Sequence, residues 1–186
     1  MAYSRSGFTP LWQPDGKYVN RYAVSAGALP LGKGDAVRFT GGRVTALGAG
    51  MDPGVGYGVV LAVYTTAGRP LTFQNTKFIA SGAAGVGLAD VCWDVNQAYV
   101  VQCQTSVGER DFPSTVMIDA SAQNASLGLS GMAVVPQTSA SVSNPFKMIN
   151  YAPFDQIAGL GNAPGALNNG VVVVWNNHLL RPGGTA

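Results

Sequence analysis

The stretch Asp35–Leu47 reads DAVRFTGGRVTAL. Two β-rich runs, Asp35–Thr40 and Arg43–Leu47, flank Gly41-Gly42, and a Gly-Gly pair supplies the positive φ that a two-residue hairpin turn requires at both central positions. Counting pairs outward from that turn puts Val37, Phe39, Val44 and Ala46 on one face. Arg38, Thr40, Arg43 and Thr45 fall on the other. An apolar inside and a polar outside describe a half-buried antiparallel ribbon.

Similar signals recur on both sides of it. Tyr18–Val24 (YVNRYAV) is β-rich and ends in the breaker-rich AGALPLGKG. Tyr57–Thr65 (YGVVLAVYT) is an apolar run of strand length, expected to be buried on both faces. Leu71–Gln74 and Lys77–Ala80 bracket Asn75-Thr76 and would pair Phe73 with Phe78. Val86–Val95 and Ala98–Gln104 are expected to form a hairpin around Asn96-Gln97, with Cys92 opposite Val101 and Cys103 opposite Asp90. Thr115–Asp119, Met132–Val135, Phe146–Tyr151 and Val171–Asn177 complete the series. About ten short strands at such spacing predict an all-β fold, an antiparallel β-sandwich or β-barrel with long loops. Residues 1–17 show neither a helical nor a strand period and read as an extended N-terminal arm carrying Tyr3, Phe8 and Trp12; residues 18–186 read as a single β domain. The arm's rings dock either on a partner or back on their own domain. Ala120–Gly131 and Pro153–Gly170 read as long surface loops, with one helical turn possible within Asp155–Gly161.

Composition narrows the function. The chain holds 20 charged residues among 186, or 11%, and one histidine, where soluble domains average about 25% charged. A surface finished in Gly, Ser, Thr, Asn, Gln and apolar side chains suits a subunit packed against neighbours. A net charge of +2 without any Lys/Arg cluster excludes the electrostatic footprint of a nucleic-acid binder. The uncharged stretches Ala120–Phe146 and Gln156–Leu180 are broken by Gly, Pro, Asn and Ser, so neither is expected to span a membrane. The N-terminus lacks the apolar run of a signal peptide, so synthesis in a cytosol is expected. Cys92 and Cys103 lack metal-ligand spacing and read as buried thiols, with a bridge between them left open.

Catalytic groups are scarce. His178 follows the longest β-branched run and has no nearby Ser, Cys or carboxylate in sequence, so it reads as a hydrogen-bonded structural histidine. Asp90, Asp94, Glu109, Asp111 and Asp119 read as solvated positions near turns. Gly54–Gly58 (GVGYG) lacks the Lys-Ser/Thr and the following helix of a phosphate loop. Trp93 and Trp175 lie inside strand patterns and read as core. The expectation is a protein that is not an enzyme and needs no cofactor or metal.

The order of the segments resembles the capsid decoration, or cement, proteins of tailed bacteriophages. The signposts are Gly7-Phe8-Thr9-Pro10, Asn20-Arg21-Tyr22, Gly34-Asp35-Ala36-Val37, Gly58-Val59-Val60 and Lys77-Phe78-Ile79-Ala80. They continue with Asp94–Gln104, Leu129-Ser130-Gly131-Met132, Pro145–Ile149 and the closing Val171–Leu179, so that the resemblance spans Gly7 to Leu180. It implies a homotrimeric subunit on the outer surface of a virion, bound to the major capsid protein and holding capsomers together against DNA pressure. Within it, Tyr3, Phe8, Trp12, Arg21, Asp155, Asn162 and Asn168 are the candidate capsid or trimer contacts, Arg21 by gripping a carboxylate through two hydrogen bonds. The alternatives are a carbohydrate-binding β-sandwich module, as in a head fibre or receptor-binding protein, and a small β-rich hydrolase built on His178.

Overall fold

The computed structural model describes residues 7–25, 30–48, 56–71, 79, 87–120, 130–137, 143–153, 165 and 167–180. The fold is all-β. Its strands are β1 (Thr9–Pro10), β2 (Val19–Val24), β3 (Ala36–Thr40), β4 (Arg43–Ala46), β5 (Gly58–Thr65), β6 (Gly87–Cys92), β7 (Tyr99–Gln102), β8 (Ser114–Asp119), β9 (Ala133–Pro136), β10 (Phe146–Tyr151) and β11 (Gly170–Trp175). Helical backbone among the described residues is confined to two 3-10 turns, Gly16–Tyr18 and Glu109–Asp111.

Two sheets result: a six-stranded sheet in the order β1-β7-β11-β10-β8-β9, and a closed barrel β2-β4-β3-β5-β6. The Gly41-Gly42 turn has φ of 58° and 77°. It sets the expected register, with Val37 opposite Ala46, Phe39 opposite Val44 and Thr40 opposite Arg43. Closure of the barrel departs from a purely antiparallel fold, because β2 pairs with β4 in parallel through Ala23–Arg43 and Val24–Val44. Closing a sheet removes its exposed edges. The six-stranded sheet also curls: Cys103 bridges Val134, and Gln104 N donates to Val134 O at 3.0 Å.

The expected hairpin across Asn96-Gln97 does not form. β6 pairs with β2 and β5 inside the barrel, whereas β7 pairs with β1 and β11 in the other sheet. The reason lies in β7 itself. Tyr99, Val100, Val101 and Gln102 are all buried, so this strand needs cover on both faces, which a two-stranded ribbon cannot give. The connection is a broader turn, in which Asp94 Oδ1 accepts from Asn96 N at 2.9 Å and Gln97 Nε2 donates to Ala98 O at 2.9 Å. The two cysteines therefore sit in different sheets, and both are free and buried. Leu71 and Ile79 flank the expected Phe73–Phe78 hairpin, most of which lies outside the described residues, as do 121–129 and 154–164 of the two long loops.

Two cores follow from this arrangement, and they touch. Val24, Leu31, Val37, Val44, Val60, Val63, Ala89 and Val91 fill the barrel. Phe8, Tyr99, Val101, Val116, Met132, Phe146, Met148, Val173 and Trp175 fill the curled sheet, and Ala36, Leu47 and Val59 reach into this core from the barrel wall. β5 is buried on both faces because Val59 faces the sheet core and Val60 the barrel interior. Rings bridge the two. Phe39 lies 4.9 Å from Tyr57, Tyr57 6.1 Å from His178, His178 5.1 Å from Trp175, Trp175 4.1 Å from Phe146, and Phe146 4.5 Å from Phe8.

Candidate functional site

The arm divides at Phe8. Thr9 and Pro10 pair with Val100 and Tyr99, and Phe8 is buried at 2% exposure, stacked on Phe146. A ring so placed anchors its own domain, so Phe8 is not available as a contact to another chain. Trp12, by contrast, is 52% exposed. Its carbonyl accepts from Gln97 Nε2 at 3.2 Å, which fixes the backbone and leaves the indole outside.

Arg21 does grip a carboxylate through two hydrogen bonds, but the carboxylate is its own neighbour. Arg21 Nε and Nη2 donate to Asp90 Oδ1 and Oδ2 at 2.7 and 3.0 Å, and Tyr64 Oη donates to Asp90 Oδ2 at 2.7 Å. The guanidinium lies 3.8 Å over the Tyr64 ring. Asp90 is thus a mid-strand residue of a three-strand cluster rather than a solvated turn residue. The Arg21 hydrogen bonds hold its carboxyl below the usual carboxylate range, and the Tyr64 hydroxyl adds to the effect. Asn168 is half-buried at φ 61°, next to Leu167, which is 68% exposed. Tyr3, Asp155 and Asn162 lie outside the described residues. Trp12 precedes β2, Arg21 lies on the barrel and Asn168 precedes β11, so these candidates sit on separate elements.

His178 is fully engaged. Its Nε2 lies 2.5 Å from Tyr57 O, and its Nδ1 accepts from Leu180 N at 3.1 Å, an arrangement that places the proton on Nε2. Burial lowers its pKa, and the Tyr57 carbonyl opposes that shift. With both nitrogens occupied by backbone, the ring holds the chain end after β11 against Gly56–Tyr57. The neighbouring Tyr57 hydroxyl meets that of Tyr22 at 2.5 Å, and burial first, then this bond, pushes the Tyr57 pKa up.

Two features were not among the candidates that the sequence offered. One is a cleft of about 500 Å³ lined by Thr105, Ser106, Arg110, Asp111, Ser114 and Gln137. Two stretches supply it, Thr105–Ser114 and Pro136–Gln137, and neither carries a recognisable motif. Asp111 Oδ2 is fixed by Gly108 N at 2.6 Å, while Ser114 Oγ is buried and has no hydrogen-bond partner among the described residues. Such a set of hydroxyls, a guanidinium and a carboxylate matches small hydrophilic ligands. The other is Asp35, which is fully buried at the head of β3. In the sequence it stands only as the head of a strand and within the Gly34-Asp35-Ala36-Val37 signpost, with nothing to mark its burial.

Among the described residues no group of three or more His, Cys, Asp or Glu side chains is placed to hold a metal, and no helix is long and apolar enough to cross a membrane. Neither the family models nor the curated proteins compared with the chain contain a match to it.

Proposed function

We propose that the chain is a structural virion protein that decorates the outside of a phage head and holds neighbouring capsomers together. The observation that carries this reading is the surface. Trp12, Ile149, Leu167, Leu179 and Leu180 stand exposed on a chain with only 20 charged residues. Apolar side chains among few charges favour burial against a partner. The order of sequence signposts described above supports the same assignment. A trimer would make each attachment after the first intramolecular, so weak single contacts suffice, and binding the assembled shell alone stabilises it by mass action.

The test is co-sedimentation of the purified protein with DNA-filled heads, followed by cryo-electron microscopy of the mixture. Density for the chain on the outer shell is expected; its absence from particles, or its presence only in the tail, refutes the proposal. The cleft around Arg110 and Ser114 favours a second reading, a carbohydrate-binding module. A glycan array distinguishes the two, since saccharide binding lost in Arg110→Ala selects this one.

A further inference from the structure

We propose that Asp35 works as a proton-operated latch on the junction where the N-terminal segment enters the molecule. Four stretches meet there. Phe8 N donates to Gly34 O at 2.8 Å, Ser130 N donates to Lys33 O at 3.1 Å, and Gly34 N and Val60 N bond to Val60 O and Asp35 O at 2.8 and 2.9 Å. Gly7 adopts φ +67° in this joint, and a Cβ there would come within 2.6 Å of Gly34 O. Asp35 Oδ2 accepts from Gly32 N at 2.7 Å, and Met132 N bonds to Ser130 Oγ at 3.0 Å. The junction is therefore closely packed.

Among the described residues its acid lacks a counter-charge. Asp35 is 0% exposed, and among the described residues Oδ1 has no hydrogen-bond partner. The stretches packed around it, Gly7–Leu11, Gly58–Ala62 and Ser130–Pro136, contain no ionisable side chain. On its own stretch the nearest are Lys33, which is exposed, and Arg38, further along β3. Burial moves the carboxyl up to about 7, and the Ser130 hydroxyl and Gly32 amide offset only part of that. An unpaired buried carboxylate is costly, so ionisation is coupled to opening. The folded junction prefers the protonated acid and the opened one ionises near the ordinary value of 3.8. Closure is thus strongest below about pH 4 and weakens progressively up to about pH 7, beyond which it changes no further. Opening would free the stretch carrying Phe8 and Trp12. This inference does not depend on the capsid assignment.

Hydrogen–deuterium exchange of the full chain from pH 4.5 to 7.5, corrected for intrinsic rates, tests it. Between pH 5 and 7, opening of residues 7–12, 32–36 and 130–134 should rise at least about ten-fold relative to β10 and β11, within the limit of ten-fold per pH unit set by one proton. In Asp35→Asn the same residues should show no such rise. In parallel, the Asp35 carboxyl ¹³C shift of the wild-type chain should titrate near neutrality, and this measurement decides alone if the variant does not fold. A rise that survives in Asp35→Asn, no rise in the wild type, or an Asp35 carboxyl titrating near 4 overturns the proposal.

Discussion

At the scale of single residues, Phe8 and Trp12 separate two roles that a shared aromatic character conceals. Phe8→Ala removes a ring packed in the core, and about 3–5 kcal/mol of stability should go with it. Trp12→Ala should change stability by about 0.5 kcal/mol or less while weakening co-sedimentation with heads. Urea melts of the two variants check the first pair of values. Deleting residues 1–17 would remove both, so the deletion should unfold the chain rather than merely strip its arm. His178 makes an opposite contribution to that of Asp35. Its folded pKa is depressed, so the stability it confers is complete above the ordinary histidine value near 6.5 and declines as pH falls through that value toward the folded one. His178→Gln should flatten this acid limb in thermal melts between pH 7 and 5. The structural role of His178 was legible from its position after a β-branched run without a nearby catalytic partner; the roles of Phe8, Arg21 and Asp35 were not. Phe8 meets Phe146, Arg21 meets Asp90 across 69 positions, and the isolation of Asp35 depends on what three distant stretches lack.

At the scale of elements, the legible features were those whose signal lies within one strand or turn. The Gly41-Gly42 hairpin was readable because turn chemistry and the two-residue period set its register together. The double burial of β5 was readable from an unbroken apolar run. The separation of β6 from β7 was not, because each strand alone fits a hairpin and the choice between partners is made by burial of the second face of β7. Close approaches show the same dependence on tertiary context. Gly56 bridges His178 in parallel, and a Cβ on it would run into the Trp175 ring. Gly56→Ala should therefore cost about 1–3 kcal/mol through overpacking, measurable as a lower midpoint in guanidinium. Gly16→Ala, where the added Cβ meets open space, is the matched control and should be close to neutral.

At the scale of the whole molecule, the chain begins in the six-stranded sheet at β1, builds the barrel from β2 to β6, and returns to the sheet at β7. Ala36, Leu47 and Val59 of the barrel complete the sheet's core, so neither part can be removed without baring apolar surface. Calorimetric unfolding should accordingly give one transition, with equal calorimetric and van't Hoff enthalpies; two resolved transitions would show the sheet and barrel to be independent. The all-β class was legible at this scale from strand spacing, whereas the return path was not, because it rests on β1 pairing with a strand some ninety positions later, Thr9 with Val100. That return path has a mechanical side. The barrel's two ends leave together, Trp93 N donating to Tyr18 O at 3.0 Å. Tension applied through Phe8 and His178 thus meets the β1–β7 ladder together with the bonds that tie these two ends to the barrel, Phe8 N to Gly34 O and Leu179 N to Gly56 O, both at 2.8 Å. Sheet and barrel thus share the load, and the Phe8 and His178 anchors are the points at which it enters both.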